Sequence, residues 1–287
     1  MTVAINVNGR IADKEKAVIS IFDHGFLYGE GIYETLRTYR RRPFLFDRHM
    51  VRLRQSADML TLNVPFSDSE IATELQKTMS AATIRDEAYI RILLTRGIGD
   101  LTYDPRDTPK PSLVIIVKDQ IDPPQAAYQE GVNVVITKVV RNHPSTVNPK
   151  IKSNNLLNSA LAMQEAIRRG AFEGVMRNYK GELTECTTAN LFIVTNNTAV
   201  TPPIEAGLLP GITRAFLFEV AKDTNIIVKE EVLKDEDLFN AEEAFLTSTT
   251  RELVPIVKVD GNKIGDGSPG PITKKLLEAF RVRAHAA

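Results

Sequence analysis

The sequence predicts a two-domain chain of mixed structure, α/β in the broad sense and α+β in its first part, on three observations. Its 287 residues exceed the size at which one core keeps growing. Runs that alternate with a period of two are interspersed with runs at helical spacing. Between Asp119 and Gly131 the segment DQIDPPQAAYQEG loses its periodicity and holds a Pro-Pro pair. These place a small N-terminal α+β domain at 1–119, an interdomain linker at 120–131 and a larger domain at 132–287.

Residues 2–7 read as a strand, Asn8-Gly9 as a hairpin turn, and 31–39 and 43–46 as two further strands. From Asp47 to Leu60 the apolar residues Met50, Leu53, Ala57 and Leu60 fall at helical spacing. Ser67 and Glu70 form a capping box that starts a second helix, ending near Ala82. Strands follow at 88–95 and 112–118, joined by the loop TRGIGDLTYDPRDTPKP. The larger domain opens with a strand at 132–138 and passes the polar loop RNHPSTVNPKIKSNN. It then enters a helix at 156–169 that Gly170 stops. Strands at 174–178, 182–185 and 190–195 form a meander, and GLLPGITR feeds another helix. Strands at 226–231, 243–248 and 253–259 precede a final helix from Thr273.

Composition narrows the function. The chain has 36 basic and 36 acidic residues and an isoelectric point near 6.9. That balance argues against nucleic acid or an anionic membrane as the main partner and leaves room for a small anionic ligand. Cys186 is the only cysteine, so no disulfide closes within the chain and a cytoplasmic setting is expected. The N-terminal residues lack the apolar run of a signal peptide, and no stretch is apolar enough to suggest a membrane span. His24, His49, His143 and His285 lack metal-ligand spacing, so no metal site is expected.

Locally, several residues could carry chemistry. In GLLPGITR a glycine precedes a helix, with Thr213 read as its cap, and a helix N-terminus can hold a phosphate through unpaired N–H groups. Taken alone, such a segment is usually a capped helix after a turn. The hydroxyl-rich run Thr247-Ser248-Thr249-Thr250 could add donors, or be an ordinary turn. Lys152 lies in a polar loop before a helix, Glu185 at a strand end and Arg52 on the polar side of the first helix. Each such position is more often surface than site.

Their order changes that reading. The runs HGFLYGEGIYETLR (24–37), FDRHMVRL (46–53), AYIRILLTRGIGD (88–100), IKSNNLLNSALAMQEA (151–166), GELTECTTANLFIV (181–194), LLPGITR (208–214) and FLTSTTRELVPI (245–256) resemble the class IV aminotransferases. The resemblance spans essentially the whole chain. It implies the two-domain fold-type IV architecture, with a β-barrel-like C-terminal domain carrying helices, and pyridoxal 5'-phosphate as cofactor. By this resemblance Lys152 is the Schiff-base lysine, which also moves the proton between Cα and the cofactor. Glu185 pairs with the pyridine nitrogen and keeps it protonated, so the ring can accept electrons. Arg52 reaches the cofactor phosphate, the Ile212 and Thr213 N–H groups bind it at a helix start, and Ser248 and Thr249 complete its cup. Leu209 packs on the ring face. Tyr28, Tyr33, Thr35, Arg37, Tyr89, Arg91 and Thr250 fall at substrate-binding positions, and His24 at a turn beside the pocket.

The implied reaction is a ping-pong transfer between an amino donor and a 2-oxo acid acceptor such as 2-oxoglutarate. Tyr89-Ile90-Arg91 and the following loop are similar to the branched-chain enzymes of prokaryotes and favour an L-branched-chain donor. Thr35 stands where that group has glycine, Leu156 where it has a tyrosine nearby, and Cys186-Thr187-Thr188 replaces a glycine-rich turn. These departures keep open a D-amino acid or (R)-amine transaminase, or an aminodeoxychorismate lyase. Cys186 is expected to pack rather than react. The resemblance also implies a homodimer or higher homo-oligomer, with residues near 97–106 reaching the partner's pocket.

Overall fold

The computed structural model describes residues 1–286, which form two compact units. The first comprises 1–121 together with 151–156, and the second 122–150 with the described residues from 157 onward. The short segment 151–156 therefore belongs with the N-terminal residues, although it lies inside the stretch expected of the larger domain.

The first unit is a six-stranded sheet in the order β2-β1-β6-β5-β3-β4. Its strands are β1 (Val3–Val7), β2 (Arg10–Ala12), β3 (Gly31–Tyr39), β4 (Arg42–Pro43), β5 (Ala88–Thr95) and β6 (Ser112–Asp119). The short helix α1 (His24–Leu27) precedes β3, and α2 (Phe46–Met59) and α3 (Asp68–Ala81) pack on the sheet. Alternation decides which side they cover. Ile32, Leu36, Ile90, Ile92, Leu94 and Ile115 are fully buried in one cluster with Met50, Leu53, Ile71 and Leu75 of the helices. Ser67 caps α3 with Glu70 as its capping-box partner, as expected. The expected strand at 43–46 is corrected: β4 stops at Pro43, Leu45 takes a left-handed conformation (φ 52°) that ends the extended run, and α2 begins at Phe46.

The second unit is built on nine strands. They are β7 (Val132–Ile136), β8 (Glu173–Arg177), β9 (Leu183–Cys186), β10 (Asn190–Thr195), β11 (Thr198–Thr201), β12 (Ile227–Glu230), β13 (Glu243–Ser248), β14 (Glu252–Val259) and β15 (Asn262–Lys263). The path β10-β13-β14-β7-β8-β9 closes on itself because β9 also pairs with β10. One register pair, Glu185 with Asn190, makes that closure. The barrel so formed is filled by Val134, Ile136, Val175, Leu183, Leu191, Ile193, Leu246, Val254 and Ile256. Helices α4 (Gln125–Gln129), α5 (Leu157–Arg168), α6 (Ile212–Ala221), α7 (Asp235–Phe239) and α8 (Pro271–Ala286) complete the unit. Strand β11, not foreseen, follows β10 through Asn196 and Asn197, both at positive φ, the conformation that two-residue hairpins favour.

Candidate functional site

In the first unit the site is built on alternation along β3. Glu34 lies between the core residues Ile32 and Leu36 and has no exposed surface. A carboxylate there requires cations, and α2 supplies them. Arg52 donates Nε to Glu34 Oε1 and Nη2 to Glu34 Oε2, both at 2.7 Å, and His49 Nδ1 lies 2.7 Å from Oε2. Burial alone pushes the Glu34 carboxyl up, but the guanidinium and the imidazole more than offset it and hold it down to about 2. Burial pushes His49 down, with Arg52 and Lys152 adding to the shift and Glu34 opposing it. The neutral ring thus gives its Nδ1 proton to Glu34, and its buried Nε2 has no hydrogen-bond partner.

Arg52 is therefore not on an exposed helix face, as its sequence context suggested. It is only 5% exposed, turned inward by Glu34. Sequence reasoning overlooked Glu34 and His49 as part of this cluster. The available signal was a carboxylate in the inward register of an otherwise apolar strand.

Lys152 is held against the same strand. Tyr33 N donates to Lys152 O at 2.9 Å, Asn154 N to Gly31 O at 2.8 Å, and Lys152 N to Ser56 Oγ on α2 at 3.1 Å. Gly31 permits this approach, since a Cβ there would lie 2.5 Å from Asn154 Nδ2. The Lys152 ammonium sits 4.6 Å from the centroid of the Tyr33 ring, and the Arg91 guanidinium carbon 4.3 Å from that centroid. One aromatic ring thus serves two cations.

The face of the sheet opposite the helices gathers five of the expected substrate residues. Tyr33, Thr35 and Arg37 of β3 stand across from Leu93, Arg91 and Tyr89 of β5. Arg91 Nε is buried without a hydrogen-bond partner. Tyr28 is placed differently, edge-on to His24 and 5.0 Å from the ring of Tyr103. Buried His24, expected in a turn, instead opens α1 and is held between the Glu30 carboxylate and the Asp100 carbonyl. Thr250 belongs to the second unit.

In the second unit Glu185 sits at the barrel closure. Its Oε1 accepts from Arg141 Nε at 2.9 Å, and its Oε2 from Leu209 N at 3.1 Å and Asn190 Nδ2 at 3.4 Å. An arginine, a backbone amide and a side-chain amide thus converge on the two carboxylate oxygens. Asn190 Nδ2 also donates to Leu209 O at 3.0 Å, which fixes Leu209 beside the pair. Arg141, from the polar loop after β7, was not among the expected site residues, and no local pattern marked it.

Helix α6 begins inside LLPGITR, at Ile212, and the expected cap is corrected. The cap is Gly211, and Thr213 lies inside the first turn. Gly211 has no side chain to satisfy the first N–H groups, and a Cβ there would meet Asn190 Oδ1 at 1.9 Å. The helix start is thus kept bare, with the amides of Ile212 and Thr213 near its positive end. Thr247, at the end of β13, is 1% exposed with its hydroxyl lacking a partner. Ser248 and Thr249 follow it into a turn in which Arg251 N donates to Ser248 O. Bare helix amides and an orphaned hydroxyl fit a phosphate, and the Glu185 carboxylate at the barrel closure fits a protonated ring nitrogen, so the residues present suit the cofactor that the sequence implied. Cys186 beside Glu185 is buried, and burial pushes its thiol up, away from the thiolate form.

Comparison with known proteins accords with this geometry. Residues 31–259 match the family model for amino-transferase class IV. A Methanocaldococcus jannaschii chain, provisionally described as a branched-chain-amino-acid aminotransferase, is 39% identical over 277 residues, covering 96% of this chain and 95% of that one. The D-alanine aminotransferase of Bacillus licheniformis is 30% identical over 275 residues, covering 96% and 94%. Among solved structures, Escherichia coli branched-chain amino acid aminotransferase superposes with a TM-score of 0.92 at 30% identity, covering 97% of this chain and 93% of that one. The branched-chain enzyme of Thermobaculum terrenum in its PLP form gives 0.87 at 25% identity, covering 99% and 94%. With a family model over most of its length and relatives at these identities, the chain belongs to the class IV aminotransferases.

Proposed function

We propose that this transaminase moves an amino group between a hydrophobic, branched-chain L-amino acid and a 2-oxo acid such as 2-oxoglutarate, in ping-pong fashion. The observation that carries the reading is the sheet face bearing Tyr33, Thr35, Arg37, Tyr89 and Arg91, on which a guanidinium donor is buried without an acceptor. Leaving such a donor unsatisfied costs about 1–3 kcal/mol, and a substrate carboxylate would satisfy it. The names of the M. jannaschii relative and of the E. coli structure support the branched-chain side.

Pyridoxal 5'-phosphate is the family's cofactor and, when bound, supplies a sink for the electrons left at Cα as its proton departs. The remaining tasks are assigned to residues of this chain. Lys152, whose Nζ lies over the Tyr33 ring, would hold the cofactor and would carry the proton at the substrate Cα. Glu185, paired with Arg141, would hold a proton at the ring nitrogen. Arg52, oriented by Glu34, answers the phosphate charge, with Ile212, Thr213, Ser248 and Thr249 as donors and Leu209 against the ring.

A second reading, a D-amino acid or (R)-amine transaminase, is favoured by Thr35, which faces Arg91 directly across the strands and narrows that face, and by the B. licheniformis relative. Aminodeoxychorismate lyase is a third outcome. A half-reaction screen reading the cofactor spectrum with paired L- and D-amino acids and chiral amines decides among them. Conversion by L-leucine, L-isoleucine or L-valine is expected; conversion only by D-alanine or (R)-1-phenylethylamine overturns the branched-chain assignment, and pyruvate release from aminodeoxychorismate indicates the lyase.

A homodimer is part of the proposal. Ile21, Phe22, Phe26, Ile98, Leu101 and Tyr103 are exposed on two segments joined by the Asp23–Ile98 bridge, a local concentration of apolar surface suited to a second copy. Sedimentation of the holoenzyme tests it. Cytoplasmic residence is proposed with it; among the described residues no helix is long and apolar enough to cross a membrane.

A further inference from the structure

Arg251 follows the Thr247-Ser248-Thr249-Thr250 run and has no role in the assignments above. Each of its three guanidinium nitrogens is engaged. Nε donates to Ser248 Oγ at 3.2 Å and Nη1 to Glu173 Oε2 at 3.1 Å. Nη2 donates to the Thr188 carbonyl at 3.1 Å and to the Thr188 hydroxyl. Glu173 is fully buried and also receives the Thr187 N–H at 3.1 Å, the Thr187 hydroxyl, and the Thr188 hydroxyl at 2.7 Å. One side chain therefore ties the turn after β13 to the turn after β9, the strand that carries Glu185.

The contact with Ser248 has a direction. A serine hydroxyl has one proton to give and lone pairs to receive with, and it rotates to suit its neighbours. Because the guanidinium can only donate, Ser248 Oγ must accept from it, and the hydroxyl proton is left to point elsewhere. A bond from a charged donor also polarises the O–H and strengthens what it donates. Arg251 is poorly suited to hold an anion itself, since Glu173 already neutralises its charge.

The geometry points to Arg251 as a positioning residue that makes the Ser248 hydroxyl a dedicated donor to the cofactor phosphate. It also fixes that donor to the loop following Glu185. This rests on the reading of Ser248 as a phosphate ligand, and the competing account is a latch that only neutralises Glu173.

The test compares wild type, Arg251→Met, Ser248→Ala and their double variant as full chains. Each is titrated with pyridoxal 5'-phosphate and with pyridoxal, which lacks the phosphate. Arg251→Met is expected to weaken the phosphorylated cofactor about tenfold, the scale of one charge-assisted bond, and to leave pyridoxal affinity unchanged. In the Ser248→Ala background it should have no further effect. Equal losses for both cofactors, or a loss that persists without the Ser248 hydroxyl, assign Arg251 to the latch and overturn the inference. Should Ser248→Ala bind the phosphorylated cofactor as wild type does, the underlying phosphate reading falls instead. If Arg251→Met folds poorly because Glu173 is left charged, the same four-way comparison is made with Glu173→Gln as the common background. There the Arg251→Met arms leave no unpaired carboxylate behind, and the Ser248-dependent loss should remain.

Discussion

Glu34 and Glu185 are both buried carboxylates facing an arginine, yet their surroundings differ. Glu34 is sealed at 0% exposure, and the partners named for it are two titratable side chains of one helix, at 2.7 Å each. Glu185 retains 6% exposure and takes its donors from a loop arginine, a backbone amide and an asparagine, at 2.9 to 3.4 Å. The first arrangement locks α2 to β3 and orients Arg52. The second keeps a charge ready at the lip of a barrel. The contrast teaches that similar ion pairs can serve different ends: loss of Glu34 should read out mainly as stability, loss of Glu185 mainly as rate.

The largest expected effect tests the sealed pair. Glu34→Gln leaves a buried guanidinium without its counter-charge and should cost about 3–5 kcal/mol in urea unfolding of the holoenzyme. Acid should expose the same pair. Glu34 is depressed from 4.5 to about 2, so its contribution is complete above pH 4.5 and lost as pH falls through about 2. His49, whose value is also lowered in the fold, adds a loss of the same sign as pH falls below its ordinary 6.5, because the unfolded chain binds the proton more readily. The Glu34→Gln variant should therefore show a shallower decline between pH 4.5 and 2 than wild type; parallel declines would dissolve the contrast.

Glu185→Gln should lower the rate of the first half-reaction by roughly 10²–10³, the range seen when one stabilising electrostatic partner is removed, while its urea midpoint stays near wild type. A midpoint shift as large as that of Glu34→Gln would make the two carboxylates equivalent after all. Arg141→Met should produce a smaller loss, about tenfold in rate, together with a change in the pH dependence of the cofactor absorbance that Arg141→Lys partly restores. The smallest effect is expected at Thr247→Val, which removes an unpaired hydroxyl. Its cofactor affinity should fall by about three- to tenfold, with little change in stability when cofactor is absent, as read by spectral titration and thermal melts.

The same contrast explains what was legible in the sequence. Strand β3 and the capping box of α3 follow from short-range patterns and appear where the periodicity put them. Read locally, Lys152, Glu185 and Arg52 are ordinary polar residues, because the setting of each depends on partners far along the chain. Arg52 meets Glu34 across 18 positions and Arg141 meets Glu185 across 44, separations that no local window spans. Thr213 was misread as a cap because hydroxyls usually fill that place; Gly211 takes it here because the Asn190 amide leaves no space for a Cβ. The closing pair of the barrel is local, Glu185 with Asn190 within the expected meander; what no local pattern shows is the strand order β10-β13-β14-β7-β8 that completes the ring.

The membership of 151–156 in the first unit has a consequence for any attempt to divide the chain. A cut after residue 121 would yield an N-terminal piece without Lys152 and without the strip that pairs with Gly31 and Tyr33. The other piece would keep the lysine and lose the strand and helix that hold it. Neither contiguous half is a self-sufficient module, so the two pieces should regain the lysine's setting only when mixed. A circular permutant opened inside 122–150 would instead keep 151–156 covalently joined to both units.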